Sequence, residues 1–134
     1  MAARLLLIAA FVTSNDASAT SMNGETLYGK INDPRVKSCG IRIDGADVAA
    51  LKPFIEAADD LEGSFSLRIA KLSASGSSMT SQRNRFSAGS LGKTEIIVDR
   101  PGQLRLELTV TDDQGKVLCG LSSTVELAAP STRI

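Results

Sequence analysis

The sequence contains no histidine and no tryptophan, and it has one tyrosine and four phenylalanines among 134 residues. Without histidine, neither a Ser-His-Asp nor a Cys-His catalytic arrangement can form, and histidine-ligated zinc is excluded. Scarce aromatic side chains also argue against a base-stacking surface for single-stranded nucleic acid. We therefore expect a protein that is not an enzyme and that carries no cofactor and no metal.

The chain has no excess of either charge, because 15 Lys and Arg balance 15 Asp and Glu. Nucleic-acid-binding domains usually carry a basic excess, so nucleic acid is not an expected partner. Hydrophobic residues make up 43% of the chain, which is enough to supply the core of one domain.

Residues 1–19 have the pattern of a signal peptide. Arg4 supplies the positive charge, and the apolar run of residues 5–12 is much shorter than the ~20 residues that span a bilayer. An Ala-Ser-Ala site ends at Ala19, after which we expect cleavage. The alternative is a buried N-terminal strand or helix. No second apolar stretch follows, so we expect no membrane contact after cleavage.

Export changes the interpretation of the two cysteines, Cys39 and Cys119. Disulfides persist in oxidising compartments, and these residues are too far apart for a Cys-x-x-Cys redox motif. Two thiols alone do not form a zinc site. We predict a structural disulfide, with two buried free thiols as the alternative.

Short segments with alternating apolar and polar residues follow one another along the chain, which is typical of half-buried antiparallel strands. The clearest lies at residues 104–110, where leucine or valine occupies every second position. Turn residues separate the segments, and the Asp-Asp-Gln-Gly stretch ending at Gly115 predicts a hairpin. The seven predicted strands are residues 39–43, 51–57, 65–69, 79–86, 93–98, 104–110 and 117–121.

Seven such strands predict an all-β fold, an immunoglobulin-like antiparallel β-sandwich over residues 35–128. The stretch at residues 48–60 is alanine-rich and tolerates a helix, although Pro53 argues against one. We expect residues 20–34 to form a flexible N-terminal arm and residues 129–134 a C-terminal tail.

Charge is unevenly distributed along the neutral chain. Residues 44–62 contain six acidic residues and one lysine, whereas basic residues predominate in residues 63–105. If the two segments occupy different faces, the basic face would attract an acidic partner. The candidate residues for binding such a partner are Arg68, Lys71, Arg83, Arg85 and Lys93. The alternative is ordinary surface solubility with charges protecting sheet edges.

One further set of features resembles a known family. Gly63-Ser64-Phe65-Ser66-Leu67 leads into a Gly/Ser loop, and Ser81-Gln82-Arg83-Asn84-Arg85-Phe86, a leucine-rich strand, a hairpin turn and a late cysteine follow. In an exported chain, this order is similar to the CsgH group of curli-system proteins from alphaproteobacteria. Asn84 stands where the family pattern Gln-x-Gly-x-Phe has glycine. The resemblance covers roughly residues 36–125.

The resemblance implies a periplasmic, chaperone-like inhibitor that keeps the amyloid curli subunit from polymerising before secretion. It also implies transient contact by a monomer, without a deep pocket. The related curli protein CsgC has a Cys-x-Cys pair that is absent here, so no redox role is carried over. A different exported module with the same sandwich, such as a pilus-assembly chaperone or an adhesin domain, is the alternative.

Overall fold

The computed structural model describes residues 24–87 and 90–130. The predicted signal peptide and most of the predicted C-terminal tail lie outside these ranges. Within them, no helix has the length and apolarity needed to cross a membrane. The strands are β1 Glu25–Tyr28, β2 Lys30–Ile31, β3 Val36–Asp44, β4 Val48–Ala57, β5 Gly63–Ser73, β6 Gly76–Phe86, β7 Ile96–Asp99, β8 Gly102–Asp112 and β9 Val117–Leu127.

The strands form two antiparallel sheets, which confirms the predicted β-sandwich. The four-stranded sheet has the order β1-β3-β4-β7, and the five-stranded sheet has the order β2-β9-β8-β5-β6. β3 and β4 are consecutive in the chain and paired in one sheet. The core strands match immunoglobulin topology: β3-β4-β7 correspond to A-B-E, and β5-β8-β9 in the opposite sheet correspond to C-F-G.

The core lies between the sheets and follows the period-two pattern that the sequence showed. In β8, Leu104, Leu106, Leu108 and Val110 are all 0–1% exposed, whereas the residues between them point outward. Phe65, Leu67 and Ile69 of β5 lie in register beside them. Ile41 and Leu51 close the core from the four-stranded sheet, and both are fully buried. Alternation therefore predicted which face of these strands packs inward.

Residues 25–31, which the sequence analysis assigned to a flexible arm, form two short strands. β1 pairs with β3, and β2 pairs with β9, so the chain passes from one sheet to the other at Gly29. A Cβ atom at Gly29 would lie 2.7 Å from the Gly120 carbonyl oxygen and 2.9 Å from Cys39 Sγ. Glycine is needed here because no side chain fits the crossing. In the described residues the sandwich accordingly has nine strands, where about seven were expected.

The predicted disulfide between Cys39 and Cys119 is confirmed. Cys39 belongs to β3 and Cys119 to β9, so the bond joins the two sheets through the core. Both residues are at most 1% exposed. The bond connects positions 80 residues apart in the chain.

The alanine-rich segment forms a strand and not a helix. β4 pairs with β3 along its length and buries Ala49, Leu51 and Ile55 on one face. Pro53 fits this strand because β7 pairs only with Val48–Leu51, which leaves that side of β4 open at the proline. Proline is tolerated where a strand has a free edge.

Four charged residues close one end of the sandwich. Asp33, which is 4% exposed, accepts hydrogen bonds from Arg35 Nε at 3.0 Å and Lys116 Nζ at 2.7 Å. Arg35 also donates to Asp112 Oδ2 at 3.0 Å. These hydrogen bonds from cations lower the pKa of Asp33 well below its usual range. The Lys116 backbone N–H and the Arg35 guanidinium lower the pKa of Asp112. The cluster fixes the segment before β3 to the β8–β9 hairpin.

Candidate client-binding surface

β6 is an edge strand of the five-stranded sheet, and it is exposed on both of its faces. Its register with β5 runs without a bulge from Gly63 opposite Phe86 to Ser73 opposite Gly76. Phe86 is its one buried residue, and Gln82 is half-buried. Long edge strands are sites where another chain can pair, unless charges, prolines or bulges protect them. β6 has neither a proline nor a bulge within its pairing with β5.

Three of the five candidate cations lie on one face of this edge. Arg68 is exposed between the buried Leu67 and Ile69, so it points out of the sandwich. Arg83 and Arg85 lie opposite Ser66 and Ser64, which have the same phase in β5 as Arg68. Because side chains alternate along a strand, all three arginines project from the outer face of the five-stranded sheet. The structure therefore brings Arg68, Arg83 and Arg85 together.

The three arginines differ in their partners. Arg68 Nη1 lies 3.8 Å from Glu107 Oε1 on the neighbouring strand β8. Arg85 Nη1 lies 3.0 Å from Asp113 Oδ1, and its Nη2 lies 4.0 Å from Glu62 Oε1. The hydrogen bond to Asp113 raises the pKa of Arg85.

Arg83 is exposed, and no acidic side chain in residues 24–87 or 90–130 forms an ion pair with it. Of the three arginines at the β6 edge, Arg83 is thus the one without an ion pair among the described residues.

The other two candidates lie elsewhere. Lys71 is three positions from Arg68 in the same strand, so its side chain belongs to the opposite face. It lines a cleft with Asp99 and Arg100 at the end of the sandwich. Lys93 follows β6 in a loop and lines a cleft with Arg42, Lys52 and Phe54. The five cations predicted from the sequence do not form one surface.

The acidic segment is also not separate from the basic one. Glu62 contacts Arg85, and Asp44 lies 3.5 Å from Lys52 Nζ within its own segment. Pairing of strands from different parts of the chain places acids beside bases. At the arginine face of β6, acidic side chains therefore lie beside the arginines.

The hydrogen bonds of Asp112, at the β8–β9 turn, show which backbone N–H and C=O groups of β6 point away from β5. Asp112 N–H donates to the Lys116 carbonyl at 2.9 Å, and the Asp112 carbonyl accepts from Gly115 N–H at 3.0 Å. Both groups of Asp112 therefore face β9, and Gly63 opposite it must direct its own groups towards β6. Ser64, the next residue, points its carbonyl towards β8, where Thr111 Oγ1 donates to it at 3.4 Å.

This alternation continues along β6. Phe86, opposite Gly63, bonds to β5, and Arg85, opposite Ser64, directs its N–H and C=O away from it. The residues with outward backbone groups are Ser77, Met79, Ser81, Arg83 and Arg85. Their side chains are also those that share the outer face with Arg68. One set of residues thus presents both the free backbone groups and the positive charge.

A second exposed cluster, on the outer face of the four-stranded sheet, was missed by the sequence analysis. Tyr28 is 68% exposed and meets Phe54 edge to face, with 6.0 Å between ring centroids. The Arg42 guanidinium lies 5.1 Å from the centroid of Phe54. Tyr28 was assigned to the arm, so its place in a strand beside Gly40 was not expected.

The described part of the chain contains no group of three His, Cys, Asp or Glu side chains that could hold a metal ion.

The chain matches no family model. No curated protein matches it. Among solved structures, it is similar to the solution structure of CsgH from R. palustris, with a TM-score of 0.44 and 18% sequence identity. The similarity covers 79% of this chain and 90% of that one.

Proposed function

We propose that this protein is a periplasmic, chaperone-like inhibitor that prevents premature amyloid polymerisation of the curli subunit before its secretion. It acts by binding, without catalysis and without a cofactor. The observation that carries the proposal is β6, an exposed polar edge strand with three arginines on its outer face. The resemblance of residues 36–125 to the CsgH group names the client.

The chemistry of an amyloid client suits such an edge. Amyloid subunits polymerise by adding strands, and their strand-forming segments offer unpaired backbone groups. A polar edge with Arg83 and Arg85 attracts an acidic client and has few of the apolar side chains that a dry fibre interface needs. The sandwich can therefore meet the client without joining the fibre.

The disulfide supports an exported location. Disulfides form and persist in oxidising compartments and are rare in the cytosol. Cys39–Cys119 is buried in the core as a structural bond. We place the protein in the periplasm because a curli subunit awaiting secretion is there.

The test is thioflavin fluorescence of purified curli subunit with and without the mature protein. We expect a longer lag phase at inhibitor concentrations below that of the subunit. An unchanged lag phase at equimolar protein would refute the proposed function.

Arg83→Glu and Arg105→Glu form a matched pair for the role of charge. Both residues are exposed, both point from the outer face of the five-stranded sheet, and both substitutions change the net charge equally. Arg105 lies on β8, two strands from the edge, or roughly 10 Å away. We expect Arg83→Glu to shorten the lag phase in the presence of inhibitor and Arg105→Glu to have a much smaller effect. Equal effects would show that long-range attraction, and not contact at β6, carries the charge dependence.

A further inference from the structure

We infer that β6 binds the client by backbone pairing, as an added antiparallel strand at the free edge of the five-stranded sheet. This inference rests on the proposed function and adds the binding mode and the sequence pattern of the bound segment. The bound segment carries carboxylates on two alternate residues, and these lie opposite Arg85 and Arg83.

The free edge is long enough for specific pairing. Outward N–H and C=O groups recur at every second residue from Ser77 to Arg85, and no bulge interrupts the register of β6 with β5. An antiparallel strand placed there makes paired hydrogen bonds with each of these five residues. Ten of the eleven residues of β6 are not buried, so nothing in residues 24–87 and 90–130 covers the strand.

The side chains on this edge define the chemistry of the occupant. Residues that exchange hydrogen bonds across an antiparallel pair project from the same face, so the client residues opposite Arg85 and Arg83 lie beside the guanidinium groups. These client positions are two residues apart. In an antiparallel client strand, the residue opposite Arg83 comes two positions after the residue opposite Arg85. The residue opposite Met79 comes four positions after that. Met79 is 60% exposed and favours an apolar residue there.

Charge disfavours the self-paired register centred on Arg83 and favours an acidic client strand. Two β6 strands in antiparallel register centred on Arg83 would place the two Arg83 side chains directly opposite each other, which is unfavourable. A client segment with carboxylates at these positions would instead form favourable ion pairs with the same arginines. Arg83 is free to pair because it has no ion-pair partner among the described residues.

Edge pairing also explains how binding would stop polymerisation. Fibre growth needs a second sheet to pack on the strand in a dry interface. The faces of β6 carry serine, threonine, glutamine, asparagine and arginine, and both are exposed. A client strand held there continues a largely polar sheet, in which Met79 is the one exposed apolar side chain of β6.

Residue-specific amide exchange of labelled inhibitor, with unlabelled curli subunit kept monomeric, tests the pairing directly. In the free protein, the outward amides of Met79, Ser81 and Arg83 exchange rapidly, whereas Thr80 and Gln82 are protected by β5. With roughly nine-tenths of the inhibitor bound, we expect about tenfold slower exchange at the outward amides. Thr80 and Gln82 are controls within the same strand and should not change. Client binding without protection of the outward amides would overturn the inference.

Ser81→Pro tests the same mode by mutation. Its N–H points away from β5, so proline removes a donor of the free edge without breaking the β5–β6 ladder. We expect native circular dichroism and about tenfold more protein for the same delay of aggregation. Ser81→Ala keeps the N–H and should inhibit like the wild type. Gln82→Pro, which breaks the β5–β6 ladder, should lower stability. If Ser81→Pro does not fold, the exchange experiment decides alone.

The outcomes separate the two proposals. A wild-type protein that does not delay aggregation refutes the proposed function. A wild type that delays aggregation, with an equally active and folded Ser81→Pro, refutes edge pairing and leaves the function standing. Gel filtration of the inhibitor alone should show a monomer. A dimer with protected outward amides would make a second copy the occupant and overturn the inference.

Discussion

The Cys39–Cys119 disulfide should supply a large share of the stability of this domain. Reduction of the bond leaves every other atom of the core in place, so it tests the cross-link separately from packing. The bond closes a loop between positions 80 residues apart. In the chain-entropy model, opening a loop of that size stabilises the unfolded chain by about 4.5 kcal/mol. Domains of this size are stable by only about 5–15 kcal/mol, so the reduced protein should be marginal.

Urea unfolding of oxidised and reduced protein, followed by circular dichroism, measures this difference. With a denaturant slope of about 1–3 kcal/mol per molar, the loss corresponds to a midpoint shift of about 1.5–4.5 M. The double variant Cys39→Ala, Cys119→Ala should unfold near the reduced wild type and should not respond to reductant. Both cysteines are buried, so reduction must be carried out in denaturant before refolding.

Coincident midpoints for the oxidised and reduced proteins would refute this reasoning. They would mean that β3 and β9 are held together in the unfolded ensemble, or that packing alone fixes the two sheets. A shift of the expected size in the wild type, together with reductant sensitivity in the double variant, would point to a different cause of the loss.

Two further predictions concern stability. Leu106→Ala, at a position with no exposed surface, should cost about 2–5 kcal/mol in urea unfolding, whereas the exposed Arg105→Ala next to it should cost under ~0.5 kcal/mol; equal costs would contradict the register of β8. The pKa values of Asp33 and Asp112 are lowered in the folded state. The two carboxylates therefore contribute fully to the free energy of unfolding above the unfolded pKa of ~3.9, and this contribution is lost as the pH falls towards the folded pKa values. Stability should therefore decline below about pH 5, with a shallower decline for Asp33→Asn, and an identical acid slope in that variant would show that the cluster with Arg35 is not responsible.

The interior of the sandwich could be predicted from the sequence because burial of one face of a strand requires apolar residues at every second position. Leu104 to Val110 alternate strictly, and the structure buries every apolar member of that run. The disulfide followed from export and from cysteines in phase with apolar neighbours. The β8–β9 turn followed from Asp112 and Gly115, and Gly115 has the positive φ of 84° that favours glycine.

Features set by distant contacts were not predictable in the same way. β1 and β2 are four and two residues long, too short to show a period, and their positions depend on how Gly29 fits against the disulfide. The cluster of Asp33, Arg35 and Lys116 joins residues up to 83 apart in the chain. No local pattern marks such a pair.

Only part of the candidate surface could be predicted from the sequence. Arg83 and Arg85 are two positions apart, so any strand must place them on one face. Arg68 and Lys71 are three apart in one strand, and strict alternation alone would have separated them. Which edge of the sheet remains open depends on the pairing order, and that order is known only from the structure.

The links between the ends of the domain also constrain when it can fold. Lys30 of β2 pairs with Gly120, and Cys39 of β3 bonds to Cys119, so two early strands are linked to the last strand, β9. If the predicted leader directs export, the N-terminal residues cross the membrane first and wait for about ninety more before either link can form. Distant pairings of this kind fold slowly. The chain would therefore remain unfolded, as translocation across the membrane requires. Folding would be completed after β9 has crossed the membrane.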